Sequence, residues 1–167
     1  RGIVKGHMEG TRHLKGFLIK DHENNQVRIL SEADVLSGRD ADAQPIETEY
    51  RVLASGPEVS YLEVWLITGR SHQIRAHLAS IGHPIAGDMK YGDSGFNRRL
   101  KERFGVRCQL LHACRVEFPE KGLQLTGLAG RQVEAPVPDV YRRILEEGNV
   151  TWQPGIPEAS ADQRWRT

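Results

Sequence analysis

Apolar and polar residues alternate along several stretches of the first 66 residues. The clearest cases are residues 46–52 and 62–66, in which apolar residues or Thr alternate with Glu, Arg or Trp. A period of two is typical of a strand with one buried face. Because Gly56 and Pro57 separate the two stretches, we predict that they pair as an antiparallel hairpin. Shorter apolar stretches predict further strands at residues 2–5, 14–19 and 26–30.

A helical period replaces the strand pattern after residue 71. Apolar side chains recur at helical spacing over residues 72–81, with Ser71 as the predicted N-cap and Gly82 as the stop. A basic helix is predicted over residues 94–104, and another after Pro138 that ends at Gly148.

The remaining segments complete a predicted α+β fold. Residues 31–44 are predicted to form a surface loop and residues 110–118 a strand, while residues 123–125 and 132–135 are predicted to pair as a hairpin. The whole pattern indicates a mixed, mainly antiparallel β-sheet flanked by short helices, in one domain over residues 1–148. Residues 149–167 form a tail whose composition favours disorder.

Length and composition narrow the class of protein. A chain of 167 residues with two cysteines and no long apolar run indicates one cytoplasmic domain without a disulfide framework, a signal peptide or a membrane span. Because the chain starts at Arg1 inside a strand-like stretch, we interpret it as part of a longer protein, with a processed form as the alternative.

Charge is segregated along the chain although the net charge is only +1. Residues 21–64 hold ten acidic and three basic residues, whereas residues 69–115 hold nine Lys or Arg and three acidic residues. This distribution is compatible with one basic face for a polyanion. The alternative is an ordinary surface whose charges cluster only in sequence.

The corner between the second hairpin strand and the helix is rich in candidate chemistry. Five polar or cationic residues follow one another there: Arg70, His72, Gln73, Arg75 and His77. This set favours a polyanion such as RNA. Arg70 stands where a helix start adds partial positive charge, so its guanidinium could hold a phosphate or a catalytic carboxylate. The alternative is an Arg70 that fixes the corner by pairing with an acid.

Other polar residues are weaker candidates. His72 and His77 are five residues apart, which is not the spacing of two histidines that share a metal on one helix face, so no metal is predicted. Either histidine could instead be a packing residue. Asp88, the first carboxylate after the corner, is interpreted as a turn or cap residue rather than a catalytic acid.

The ordered motifs resemble those of the RluA-like RNA pseudouridine synthases over residues 1–148. The similar segments are residues 3–6, 66–78, 82–88, 91–92, 110–113 and 134–138. The resemblance implies an enzyme that isomerises uridine to pseudouridine in ribosomal or transfer RNA without a cofactor. It also implies that an essential aspartate pairs with the arginine of a Thr-Gly-Arg motif, here Arg70, and that Ile74 matches an apolar residue behind the site.

RNA contacts are predicted for a wider set of polar residues: His72, Gln73, Arg75, His77, Arg98, Arg99 and Lys101. The family's aspartate lies in a His-Arg-Leu-Asp motif that this sequence does not contain, and its stacking tyrosine is expected just before Arg1. We therefore expect the C-terminal part of a catalytic domain, inactive alone, either monomeric or in a complex with the missing half. The alternatives are a non-catalytic RNA-binding module of the same fold and, last, an unrelated α+β domain.

Overall fold

The computed structural model describes residues 1–21, 23–36, 42–121 and 126–150. The strands found there are β1 (Gly2–Lys5), β2 (Thr11–Asp21), β3 (Gln26–Leu30), β4 (Gln44–Ser55), β5 (Val59–Leu66), β6 (Arg115–Glu117) and β7 (Gln132–Glu134). The helices are α1 (Glu32–Leu36), α2 (Gln73–Ser80), α3 (Ser94–Phe104) and α4 (Asp139–Glu147), with a 3₁₀ turn at Thr126–Leu128. The predicted α+β class is confirmed.

Five strands form one antiparallel sheet in the order β1-β5-β4-β2-β3. β4 and β5 form the predicted hairpin, in which Tyr50 lies opposite Val64 and Val52 lies opposite Leu62. The register shifts between Val52 and Ala54, which marks a bulge near the hairpin turn. The alternating pattern of the sequence therefore identified the central strands and their pairing.

The two faces of the β1–β5 pair carry different helices. Successive side chains of a strand point to opposite faces, so neighbouring residues enter different cores. Ile3 and Tyr61 pack with residues of α3 and α4, whereas Val4 and Leu62 pack with α2. On the α2 side, Ala76 packs in a third apolar cluster with residues of β2, β3 and β4. Helices α2 and α3 therefore cover opposite faces of this part of the sheet.

The two later helices lie where the sequence predicts them. Helix α3 begins after Asp93, whose side chain accepts a hydrogen bond from the Phe96 backbone N–H at 2.7 Å, and it ends at Gly105 with a φ of 73°. Helix α4 ends before Gly148, and Val150 beyond it is still buried. The predicted tail from residue 151 onward lies outside the described residues. No helix in the described ranges is both long and apolar enough to cross a membrane.

Part of the predicted acidic loop is a short helix instead. In α1, the backbone N–H of Asp34 donates to Ser31 Oγ at 3.2 Å, and Asp34 Oδ2 accepts from the Ser31 backbone N–H at 2.8 Å. This reciprocal arrangement is that of a capping box. The loop prediction for residues 31–44 was wrong at its start, because an acidic composition hid a local helix start signal.

The predicted strand over residues 110–118 is also shorter than expected. Of this segment only β6 is a strand, and it pairs with β7. Residues 123–125, which were predicted to pair with residues 132–135, lie outside the described residues. Leu110 instead accepts a backbone hydrogen bond from Ile3 at 3.1 Å, so this segment covers the outer edge of β1. A Cβ on Gly2 would lie 3.2 Å from Leu110 O, so glycine suits this close approach.

The segment between α2 and α3 passes around the same edge of the sheet. Ile85 packs with the core under α2 and Ala86 with the core under α3. Gly87 has a φ of +77°, and a Cβ there would lie 2.3 Å from Cys108 O, so this turn requires glycine. Asp88 follows in this turn, as predicted, but it lies fully inside the protein.

Candidate functional site

The corner between β5 and α2 has an unusual helix start. His72, not the predicted Ser71, is the N-cap, and its φ of 58° lies in the left-handed region without any side-chain cap bond. A positive φ is uncommon for a residue with a Cβ and has to be held by surrounding contacts. The Ser71 prediction was wrong because the chain turns sharply at His72 before the helix begins.

Arg70 is the exposed cation of this corner. Its Nη2 donates to Gln44 Oε1 at 3.3 Å, and among the described residues no carboxylate lies within ion-pair distance of its guanidinium. A guanidinium with most of its donors open to solvent can grip a carboxylate or a phosphate with two hydrogen bonds. The alternative role predicted from sequence, a pair with a nearby acid, is not found in the described part of the chain.

Gln73 does not reach toward a ligand, because its side chain is only 1% exposed. Its Oε1 accepts from Thr68 Oγ1 at 2.9 Å and from the Arg70 backbone N–H at 3.0 Å. Its Nε2 donates to Glu47 O at 2.9 Å and to Thr48 Oγ1 at 3.0 Å. The RNA contact of Gln73 stays a prediction, and in the structure the amide is fully used inside the protein.

Arg75 is held by Asp88 in a two-pronged ion pair. Its Nε and Nη2 donate to Asp88 Oδ2 and Oδ1 at 2.7 and 2.8 Å, and its guanidinium lies 5.2 Å from the Tyr91 ring centroid. Burial alone would favour the neutral acid. The hydrogen bonds from Arg75 and from the backbone N–H groups of Tyr91 and Lys90 outweigh it and hold the pKa of Asp88 below its ordinary value.

The RNA contact predicted for Arg75 stays a prediction, and in the structure its guanidinium is paired within the protein. Asp88 is 0% exposed and satisfies the cation within the protein, so Arg75 joins α2 to the turn before α3. It also gives Asp88 a role larger than that of a simple turn residue.

The two histidines do not add charge to the corner near neutral pH. His77 is 3% exposed, its Nδ1 lies 3.0 Å from Thr48 Oγ1, and burial lowers its pKa. Its burial favours the packing role that the sequence left open, and its RNA contact stays a prediction. Burial, and next the charge of Arg75, also lower the pKa of His72, which is partly exposed and whose RNA contact stays a prediction.

Tyr91 connects His72 to the sheet, a role that sequence reasoning missed. Its hydroxyl accepts from the Val27 backbone N–H at 3.0 Å and lies 2.9 Å from His72 Nδ1, to which it can donate. The rings of His72 and Tyr91 also meet edge to face, with centroids 5.6 Å apart. This contact helps to hold His72 in its left-handed conformation.

Ile74 is half-buried and packs against the core cluster that contains Tyr50 and Leu62. Its position one residue into α2 places an apolar side chain behind the corner. The role predicted for it there remains a prediction.

The basic residues of α3 lie away from α2, on the other face of the β1–β5 pair. Arg98, Arg99 and Lys101 are exposed, and Arg99 stacks 5.7 Å from the Phe96 ring centroid. The sequence places these cations close to the corner, but the fold separates them from it. In the described ranges there is no group of three His, Cys, Asp or Glu residues arranged to hold a metal ion.

Comparison with known proteins identifies the kind of domain to which this corner belongs. A family model described as RNA pseudouridylate synthase matches residues 9–80, which include Arg70 and all of α2. The tRNA pseudouridine synthase C of Salmonella typhi is 42% identical over 139 residues, covering 75% of this chain and 50% of that protein. The ribosomal large subunit pseudouridine synthase C of Vibrio cholerae is 32% identical over 117 residues, covering 70% of this chain and 34% of that protein.

Solved structures show the same fold. Human RNA pseudouridylate synthase domain containing 1 superimposes with a TM-score of 0.63 at 24% identity, covering 97% of this chain and 61% of that one. Human RNA pseudouridylate synthase domain containing 4 does so with a TM-score of 0.63 at 20% identity, covering 92% and 62%. The chain spans about a third to a half of the length of the curated relatives that it matches. Its motifs, fold and relatives together show that this chain belongs to the RluA-like RNA pseudouridine synthase family.

Proposed function

We propose that this chain carries the Arg70 side of the active site of an RNA pseudouridine synthase that acts on ribosomal or transfer RNA. The observation that supports this most is the contrast at the corner. Arg75, His77 and Gln73 are occupied within the fold, whereas Arg70 is exposed and its guanidinium has only Gln44 as a hydrogen-bond partner among the described residues. The curated relatives act on both classes of RNA, according to their names.

In the proposed mechanism, Arg70 pairs with an aspartate supplied by a segment that precedes this sequence in the complete protein or by a second chain. A carboxylate that must stay ionised in a pocket needs a cation beside it, and the guanidinium provides both charge and two donors. The target uridine has to leave its stack to reach this carboxylate, and the stacking tyrosine of the family would receive it. The isomerisation itself uses no cofactor.

RNA is bound, in this proposal, by cations that the fold leaves exposed. Arg98, Arg99 and Lys101 on α3 meet this condition, since no ion pair of the described residues involves them. Arg103, one turn away, is paired with Glu147 and contributes less. Phosphate contacts of this kind supply affinity without sequence readout.

The decisive experiment compares the chain alone with the complete protein. Purified residues 1–167 should not convert uridine to pseudouridine in ribosomal or transfer RNA, whereas the complete protein, or the chain mixed with the missing part, should do so. Turnover by residues 1–167 alone would contradict the proposed division of the active site. No turnover by any combination, with RNA binding retained, would favour the alternative, a non-catalytic RNA-binding module, because α3 could bind RNA without Arg70.

A further inference from the structure

The side-chain amide of Gln73 joins the Arg70 loop to the sheet. Its oxygen accepts two hydrogen bonds from the loop, from Thr68 Oγ1 and the Arg70 backbone N–H, at 2.9 and 3.0 Å. Its nitrogen donates two to β4, to Glu47 O and Thr48 Oγ1, at 2.9 and 3.0 Å. Thr68 is also bonded to β4 directly, since its Oγ1 accepts from the Glu47 backbone N–H at 2.9 Å and its backbone N–H donates to Glu47 O at 3.3 Å, so the particular contribution of the amide is to hold Arg70.

The contact between Gln73 and Arg70 is reciprocal. The Gln73 backbone N–H donates to Arg70 O at 3.1 Å, while the Gln73 side chain accepts from the Arg70 N–H. The spacing and the side chain are those of one half of a capping box, in which Gln reaches back three residues. All four hydrogen-bonding positions of the amide are filled, and burial leaves no water to replace a lost partner.

Few other contacts restrain Arg70. Gly69 has open space around it, and the Arg70 guanidinium has one 3.3 Å hydrogen bond, to Gln44. A loop with this little packing takes its position from its backbone hydrogen bonds. The backbone N–H of Arg70 has Gln73 as its partner, so the amide determines where the guanidinium begins.

We propose that Gln73 is a positioning residue for Arg70: its buried amide ties the loop to β4 and thereby sets the reach of the guanidinium. This proposal rests on the proposed function for its catalytic consequence, but the tie itself can be tested without any activity. A side chain that only filled space in the core would stabilise the domain without controlling the Arg70 loop in particular.

The first test is amide hydrogen exchange measured by NMR on residues 1–167. In Gln73→Met, which keeps the size of the side chain, the Arg70 N–H should exchange about tenfold faster relative to the Ala76 N–H, which is bonded within the helix to His72 O. The control is Asn97→Leu, which removes another buried amide, one that bonds Gly87 N and Asp88 O. It should leave the ratio of the two exchange rates unchanged.

A milder variant covers the case in which Gln73→Met does not fold. Thr48→Val removes one of the two β4 partners and leaves Gln73 in place. It should change the same ratio in the same direction, by less. An unchanged ratio in the folded variants would overturn the proposal, whatever the chain does to RNA.

The second test uses the complete protein. Gln73→Met should lower kcat about tenfold or more with little change in KM for RNA, and it should cost nothing further when Arg70 is already Ala. Additive losses would show that Gln73 acts independently of Arg70 and would overturn the catalytic part. If the unaltered complete protein proves inactive, the proposed function fails. The exchange measurement still tests whether Gln73 holds the Arg70 loop on β4.

Discussion

Two arginines five residues apart meet opposite fates in this fold. Arg75 is paired in two hydrogen bonds with Asp88, a carboxylate that is 0% exposed, and stacks near Tyr91. Arg70 is exposed, and its guanidinium donates to one group among the described residues, the side-chain oxygen of Gln44. From the sequence alone, both arginines are predicted to belong to one polyanion-binding site. The structure shows one cation that stabilises the fold and another that remains available to a ligand.

The difference arises from direction rather than from residue type. Arg75 is on α2 and points toward the turn that brings Asp88 inward, whereas Arg70 precedes the helix on a loop tied down by Gln73. A buried carboxylate requires its cation, so the Arg75–Asp88 pair is expected to be structural. An exposed arginine without a carboxylate partner has little effect on stability, and its guanidinium is open to a ligand.

Replacing each arginine by Met should reveal the largest difference between Arg70 and Arg75. Arg75→Met leaves Asp88 buried without its cation and should lower the free energy of unfolding of residues 1–167 by about 3–5 kcal/mol. Arg70→Met should change it by less than about 0.5 kcal/mol. Urea unfolding measures both. Equal losses would mean that Arg70 is as structural as Arg75.

Arg70 should matter far more for activity than for stability. In the complete protein, Arg70→Met should lower kcat by about 100-fold, or about 2.7 kcal/mol, because a charge contact to the reacting group is lost. RNA affinity should change little, since one contact among many carries little of the phosphate-driven binding. Single-turnover kinetics with a separate binding measurement gives both numbers.

Arg70→Lys is the matched variant for that test. It keeps the charge but loses the two-donor geometry, so an intermediate kcat is expected. Equal losses of kcat and of RNA affinity in Arg70→Met would instead show that Arg70 only holds RNA.

His77, the buried histidine of the same corner, is expected to be neutral in the folded protein near neutral pH. Burial lowers its pKa from the ordinary 6.5, so below pH 6.5 the unfolded chain takes up a proton that the folded chain does not. The contribution of His77 to the free energy of unfolding should therefore be fully present above that pH. It should fall as the pH drops toward the folded-state pKa, by at most about 1.4 kcal/mol per pH unit.

The measurement is urea unfolding of residues 1–167 between about pH 7.5 and pH 5. His77→Gln should make the dependence on pH shallower than in the unaltered chain. The same slope in both would show that His77 titrates alike in the folded and unfolded states.

The smallest expected effect concerns the cations of α3. Changing Arg98 and Lys101 to Ala should weaken RNA binding a few-fold and reduce the dependence of log K on log salt by about one per residue. Arg142→Ala is the control, because its guanidinium is already paired with Asp139 and Glu146. If Arg142→Ala has the same effect on the salt dependence, α3 is not a specific contact surface.

Local patterns predicted much of the scaffold. Alternation located the β4–β5 hairpin, helical spacing located α2, and Pro138 and Gly148 marked the limits of α4, because these signals depend on neighbours within a few residues. The capping box of α1 was present in the sequence but was overlooked in an acidic segment. The prediction for residues 110–118 failed because covering the edge of β1 is a contact over more than 100 residues.

The class of fold, the family and the position of Arg70 at a strand-to-helix corner could all be predicted from the order of residues along the chain. Which polar residues of that corner are open to a ligand depends on contacts between distant parts of the folded chain. Asp88 pairs with Arg75, and Tyr91 bonds His72. Thr48 of β4 bonds both His77 and Gln73. Burial and pairing are properties of the folded chain, so a run of five polar residues became one exposed cation held by its neighbours.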